Sequence, residues 1–216
     1  MDVELPILSQ TERDGDDDLS EAERHDRDHR KDLKIMADAK AVQNNPNATP
    51  EEKSEAAEKS GDALVDNLQE AKAALAAFKS AGANFALAGF AREDQASDAD
   101  KKVKTAAAGE ETEKALETAA LLHMRAAQDL EKQVQAQTKS KEPDVAEEIA
   151  KAAKRAKEQA SKAAKQLEQA AKINLDEDPP EVEEAKSLLA LAALAHAQAG
   201  EYAEVKKITQ RIDGLP

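Results

Sequence analysis

The 216-residue chain carries 31 Lys and Arg against 45 Asp and Glu, a formal net charge of −14, with only 2% aromatic residues. Alanine fills 47 positions, Gly and Pro seven each, and Cys none. Few β-branched and aromatic residues against much Ala, Glu, Lys and Leu exclude a β-sandwich or barrel and predict long helices. The lack of Cys excludes a disulfide frame, a thiolate zinc site and a Cys nucleophile.

The acidic balance argues against nucleic-acid binding through a general electrostatic footprint. No apolar stretch approaches the ~20 residues needed to span a bilayer. The start, MDVELPIL, lacks the basic flank and long apolar core of a secretory signal. A soluble, cytoplasmic protein without membrane contact is the expectation.

Residues 1–32 hold 12 acids against 5 bases, which is half of the net charge. Residues 1–18 contain DGDDD and no apolar period, so they read as an acidic, mobile segment ahead of a single all-α domain over 19–216. Within that segment, Leu5, Ile7 and Leu8 around Pro6 have the apolar character to meet a helix groove. Ser20 followed by Glu23 has capping-box spacing and predicts a helix to about Gln43, broken by Asn44, Asn45, Pro46 and Asn47.

Thr49, Pro50 and Glu52 mark the next start: an N-cap, a proline in the first turn and a box partner. Ala57, Gly61, Leu64, Leu68, Ala71, Leu75 and Phe78 follow at steps of four and three, a spacing that predicts a buried face. Gly82 reads as the stop of that helix. Residues 83–108 read as one helix or two, with a turn near Glu93–Ser97, closed by Gly109.

A helix over about 110–138 carries Leu116, Ala120, His123, Ala127, Leu130 and Val134 on one face. Another over about 142–173 carries Val145, Ile149, Ala152, Ala156, Ala160, Ala163, Leu167 and Ala170. This 3.5-residue rhythm predicts coiled-coil-like packing, with alanine letting helix axes approach closely. Asp178 with Pro179 and Pro180 opens a helix to Ala199. Its segment 188–195 is apolar on all sides and so predicts a central position. A short helix over 202–212 ends the chain.

The segment LALAALAHAQAGEYAEVKKITQRIDGLP, residues 189–216, resembles a tetratricopeptide repeat. Ala193 matches that family's small residue, Gly200 its turn glycine and Tyr202 its second-helix aromatic. Leu189, Ala192, His196 and Thr209 depart from it, and Pro216 falls one residue early. A fainter echo lies in Leu87, Phe90, Ala99, Val103 and Ala106. The resemblance implies an antiparallel helix pair and, for a true repeat, a concave surface that binds a peptide or protein. No 34-residue period runs through the chain. As a whole, the sequence also resembles computationally designed helical proteins in its strong caps, glycine stops, Ala/Leu seams and Glu/Lys surfaces.

Two histidine pairs are the candidates for chemistry. His123 and His196 fall on apolar seams, where an imidazole needs partners for its nitrogens. The ordinary reading of each is a satisfied core histidine, and the sharper one is a facing pair that binds a metal or haem cofactor. His25 and His29, four apart in EAERHDRDHR, share a helix face with the spacing of a Zn²⁺ or Ni²⁺ chelate, and Glu21 and Asp32 add oxygen donors. Their charged flanks read as an exposed face with adventitious metal binding.

Carboxylates such as Glu110 and Glu148 sit beside Lys114 and Lys151 at helical spacing, and no pair lies inside an apolar run. No phosphate loop, dinucleotide or nucleophile-elbow pattern appears. The sequence therefore predicts an all-α protein of six to eight helices, an antiparallel bundle or α-solenoid-like array. Its expected role is a non-catalytic scaffold that needs no cofactor. The alternatives are a module that binds a peptide or protein, and a bis-histidine metal or haem protein.

Overall fold

The computed structural model describes residues 10–216. They form six helices: α1 (Gln10–Asn44), α2 (Pro50–Thr105), α3 (Glu110–Ser140), α4 (Ala146–Asp176), α5 (Val182–Ala199) and α6 (Tyr202–Asp213). Among the described residues there is no strand. The protein is all-α, as composition predicts. Each helix packs chiefly against its neighbours in the chain, α1 on α2 and so on to α5 on α6. The result is an array in chain order.

Several boundaries follow from local chemistry. At the start of α2 the Thr49 hydroxyl accepts from the Glu52 N–H at 3.2 Å, while the Glu52 carboxylate accepts from the Thr49 N–H at 2.7 Å. That reciprocal box satisfies two otherwise unpaired donors. Gly109 and Gly200 flank α3 and α5 with φ of 88° and 83°, a region that costs a side chain strain and costs glycine none.

Other expectations are corrected by tertiary contacts. α1 begins at Gln10, ten residues before the box at Ser20, so residues 10–18 of the acidic segment are helical. Residues 1–9, with Leu5, Ile7 and Leu8, lie outside the described residues. The acids of α1 acquire partners that a sequence window does not contain. Glu12 accepts from Arg92 at 2.7 Å, Asp16 from Lys132 at 2.5 Å, and Asp18 from Ser80 at 2.6 Å and Asn84 at 3.0 Å. Gly15 allows a close approach there, because a Cβ would stand 3.0 Å from the Phe85 ring.

α2 runs unbroken for 56 residues, through both Gly82 and the turn expected near Glu93–Ser97. Gly82 is a point of close approach to α3: a Cβ there would meet Gln137 Cγ at 2.9 Å. Gly89 does the same for Leu130, at 3.1 Å. On α3 and α4 the expected stripes are buried, with Val134, Val145 and Ile149 half-buried at the ends. The helix expected to be central is peripheral instead: α5 packs on α4 and α6 and leaves Leu191 and Leu194 exposed.

The largest deviation lies in the first half of α2. There the buried face is Ala56, Ala63, Asn67 and Ala74, while Leu64, Leu68 and Leu75 are 46%, 54% and 38% exposed. The reason is the unequal length of the helices. α3 ends opposite Lys79, which pairs with Glu142 at 2.7 Å just beyond it. α1 and α2 run on together past that point. Residues 26–77 thus form a projecting two-helix arm, and residues 78–216 with the start of α1 form the body. In the arm each helix has one neighbour, so only a narrow seam is covered.

Candidate functional site

The four histidines do not converge. His123 on α3 places Nδ1 2.5 Å from Gln159 Oε1 and Nε2 3.1 Å from Asp100 Oδ1. Gln159 is held in turn by donating to Glu93 at 2.8 Å, and Asp100 accepts from Gln166 at 2.6 Å. His196 on α5 places Nδ1 2.6 Å from Glu201 and Nε2 2.9 Å from Glu168. All four ring nitrogens face oxygen acceptors, which leaves none open to a metal or haem iron. The α4 anchors of the two rings, Gln159 and Glu168, stand nine residues and so about 13 Å apart along the helix axis. The His196 hydrogen bond holds the Glu201 carboxyl below its ordinary range, against the opposing effect of burial.

His25 and His29 share a face, and that face is turned to α2 and half-buried. His25 Nδ1 meets Glu70, and its Nε2 lies 3.5 Å from Glu21. The Asn67 amide reaches His29 Nδ1 at 2.7 Å and donates to the His29 carbonyl at 3.0 Å. The two rings are therefore committed to separate partners on α2. They align the arm seam.

The buried acids were missed by a search for carboxylates inside apolar runs. Glu113 and Glu117 on α3 are buried beside Leu116 and Ala120. Together with Glu184 of α5, their ligand-type oxygens lie within 4.8 Å of one another, the only such trio of His, Asp or Glu among the described residues. Burial pushes Glu113 up from its ordinary value while the Asn174 amide opposes it, and the charges of Glu184, Glu177 and Glu181 add to the rise. Burial also raises Glu117, followed by the charge of Glu113. The signal was present in the sequence: positions 113, 117 and 120 continue the four-and-three rhythm of the buried face.

A second buried set joins α1, α2 and α3. Arg92 donates to both oxygens of Glu12, at 3.3 and 2.7 Å, and Asp129 lies beside Glu12. Burial, then the Glu12 charge, pushes the Asp129 carboxyl up to about 7, against Lys132 and Arg92.

Exposed apolar side chains occur on α1 (Leu33, Ile35, Val42), on α5 (Leu191, Leu194) and in two further places. One is the row Leu64, Leu68 and Leu75 on the arm. The other is an open groove of about 580 Å³ in the body, floored by Leu87, Phe90 and Ala152. The Arg155 guanidinium stacks 4.0 Å from the Phe90 ring centroid and pairs with Glu93. Among the described residues no helix is long and apolar enough to cross a membrane. Comparison with protein-family models, with curated proteins and with solved structures gives no match.

Proposed function

We propose that the chain is a non-catalytic helical framework that works by binding protein, and that its arm pairs with the arm of a second copy. The observation that carries this is the exposed row Leu64, Leu68 and Leu75, spaced as half of a helix–helix seam with Ala71 between. The arm portion of α2 spans about 40 Å, ample for the ~800 Å² per partner of a stable interface.

Self-pairing is favoured by charge. On a 3.6-residue helix, the outer neighbours of the row are Gly61, Val65 and Lys72, and the carboxylate on that line, Glu58, stands six residues before Leu64, past the end of the row. Two copies can therefore meet here without the like-charge repulsion that a net −14 imposes elsewhere. An apolar row is also self-complementary, as a two-fold contact requires. The committed histidines, the Thr49–Glu52 capping box and the tight α5–α6 pair agree with a framework role.

Sedimentation velocity of the full chain from about 1 to 100 μM tests the reading, in the range where micromolar association is resolved. The wild type is expected to pass from monomer to dimer. Leu64→Glu/Leu68→Glu is expected to stay monomeric with unchanged far-ultraviolet circular dichroism. A wild type that is monomeric throughout, or a dimer that survives the double substitution, overturns the proposal.

A further inference from the structure

Where α3, α4 and α5 meet, three buried or half-buried carboxylates come together without a basic side chain among them. Glu113 is 4% exposed and its Oε1 has no hydrogen-bond partner. Beside it, Asn174 is 0% exposed, and neither Oδ1 nor Nδ2 makes a hydrogen bond of normal geometry. The amide nevertheless lies close enough to Glu113 to favour its charge. A buried, unpaired amide is costly, and crowded carboxylates are more so. The surroundings add negative charge: Glu177 and Glu181 act on Glu113, and Lys114, which acts on Glu117, is half-exposed and paired with Glu110.

One ligand answers all of these groups. We infer that Glu113, Glu117 and Glu184, with the side-chain carbonyl of Asn174, form a site for a hard divalent cation, Ca²⁺ in preference to Mg²⁺. The donors are all oxygen, which selects hard cations over Zn²⁺ or Cu²⁺. Ca²⁺ takes six to eight oxygens, carboxylates and amide carbonyls among them, whereas Mg²⁺ keeps several waters and is held by one or two carboxylates. Three carboxylates whose oxygens lie within 4.8 Å of one another, with an amide carbonyl beside them, suit the first ion better than the second. Turning the Asn174 amide about its Cβ–Cγ bond directs Oδ1 at the ion. The cation would fasten the start of α5 to α3 and to the end of α4, so it stabilises the C-terminal half of the array.

Isothermal titration of the chelator-treated full chain with CaCl₂, and in parallel with MgCl₂, provides the test, with thermal melts in the same buffers. One saturable Ca²⁺ site is expected, tighter than for Mg²⁺, with a rise of several degrees in melting temperature at ~1 mM Ca²⁺. Glu113→Gln and Glu184→Gln should each weaken Ca²⁺ binding at least about tenfold and abolish the Ca²⁺-dependent rise. Without metal, Glu113→Gln should melt at or above the wild type, because it removes a crowded charge. Glu184 is only half-buried, so its variant keeps the test valid should Glu113→Gln not fold. Absence of Ca²⁺ heat in the wild type, or binding of unchanged affinity in both variants, overturns the inference. The latter outcome would place the ion on scattered surface acids.

Discussion

The arm and the body are built from the same residue types by the same helical rule, and they bury them differently. In the body, α3 lies between α2 and α4, so two faces are covered and Leu116, Leu130 and Leu167 are almost fully enclosed. In the arm, α1 and α2 have only each other. An alanine seam at Ala39, Ala56, Ala63 and Ala74 then suffices, and the leucines one position away are left in solvent. Periodicity marks an apolar face, but a neighbouring helix decides whether that face is buried. Where one neighbour is available, the smaller side chain takes the seam because it allows closer approach of the axes.

Polar groups divide in the same way. Across the arm seam the half-buried His29 ring meets the buried Asn67 amide as one pair. In the body the corresponding positions hold fully buried networks, with Glu12 and Arg92 in one and His123 in another. Such networks fix the register of neighbouring helices, because a buried donor or acceptor left unpaired is expensive.

The sharpest way to break the comparison is to truncate one leucine in each region. Leu130→Ala removes a fully buried side chain wedged against Gly89, Ala152 and Ala156, and should cost about 2–5 kcal/mol in urea unfolding. Leu64→Ala in the arm should stay within about 0.5 kcal/mol of wild type, measured well below the concentration of dimer formation. Equal losses at the two sites would show that the arm leucines are as enclosed as the body's.

Enlarging a seam residue gives the next effect. Ala160→Leu, at a position with no exposure, should overpack α4 and cost about 1–3 kcal/mol. Ala57→Leu, on the exposed side of the arm, should leave the thermal midpoint within about a degree of wild type. A neutral Ala160→Leu would mean that α4 sits more loosely than its burial implies.

The smallest effect is a pH dependence confined to the body. Asp129 has a folded-state value raised from 3.8 to about 7, so its protonated form is the one the fold favours. Its contribution is therefore fully present below about pH 4 and is lost as pH rises toward 7. Asp129→Asn should remove that loss. The variant should gain on the wild type from pH 4 to pH 7 by roughly 1–2 kcal/mol, a discounted share of ~1.4 kcal/mol per pKa unit. Paired urea melts at the two pH values read this directly. A constant difference between variant and wild type would mean that Asp129 titrates normally beside Glu12, Arg92 and Lys132.

Much of the fold was legible. The breaks at Asn45–Thr49, Gly109 and Gly200 follow from capping side chains or from glycine's freedom at positive φ, and both act on nearby backbone within reach of a sequence window. The apolar faces of α3 and α4 were legible because both helices have neighbours on two sides. The site chemistry was less so. His123 and His196 were correctly placed on buried faces, but their partners Asp100, Gln159, Glu168 and Glu201 come from up to 36 residues away. Glu113 and Glu117 follow the buried rhythm, yet their charge makes them look like surface residues until Glu184 and Asn174 are brought alongside.

By itself, the sequence determined that the chain is helical, roughly where α3, α4 and α6 start and stop, and that the seams are alanine-rich. Those properties depend on dihedral preference, capping and periodicity, which act over a few residues. Only the tertiary structure decided that α2 runs straight through Gly82, that residues 10–18 are helical, that Leu64 faces outward while Ala63 faces inward, and that three glutamates share one buried corner. Each of these depends on what lies across the interface, and burial, pairing and steric clearance are properties of two surfaces at once.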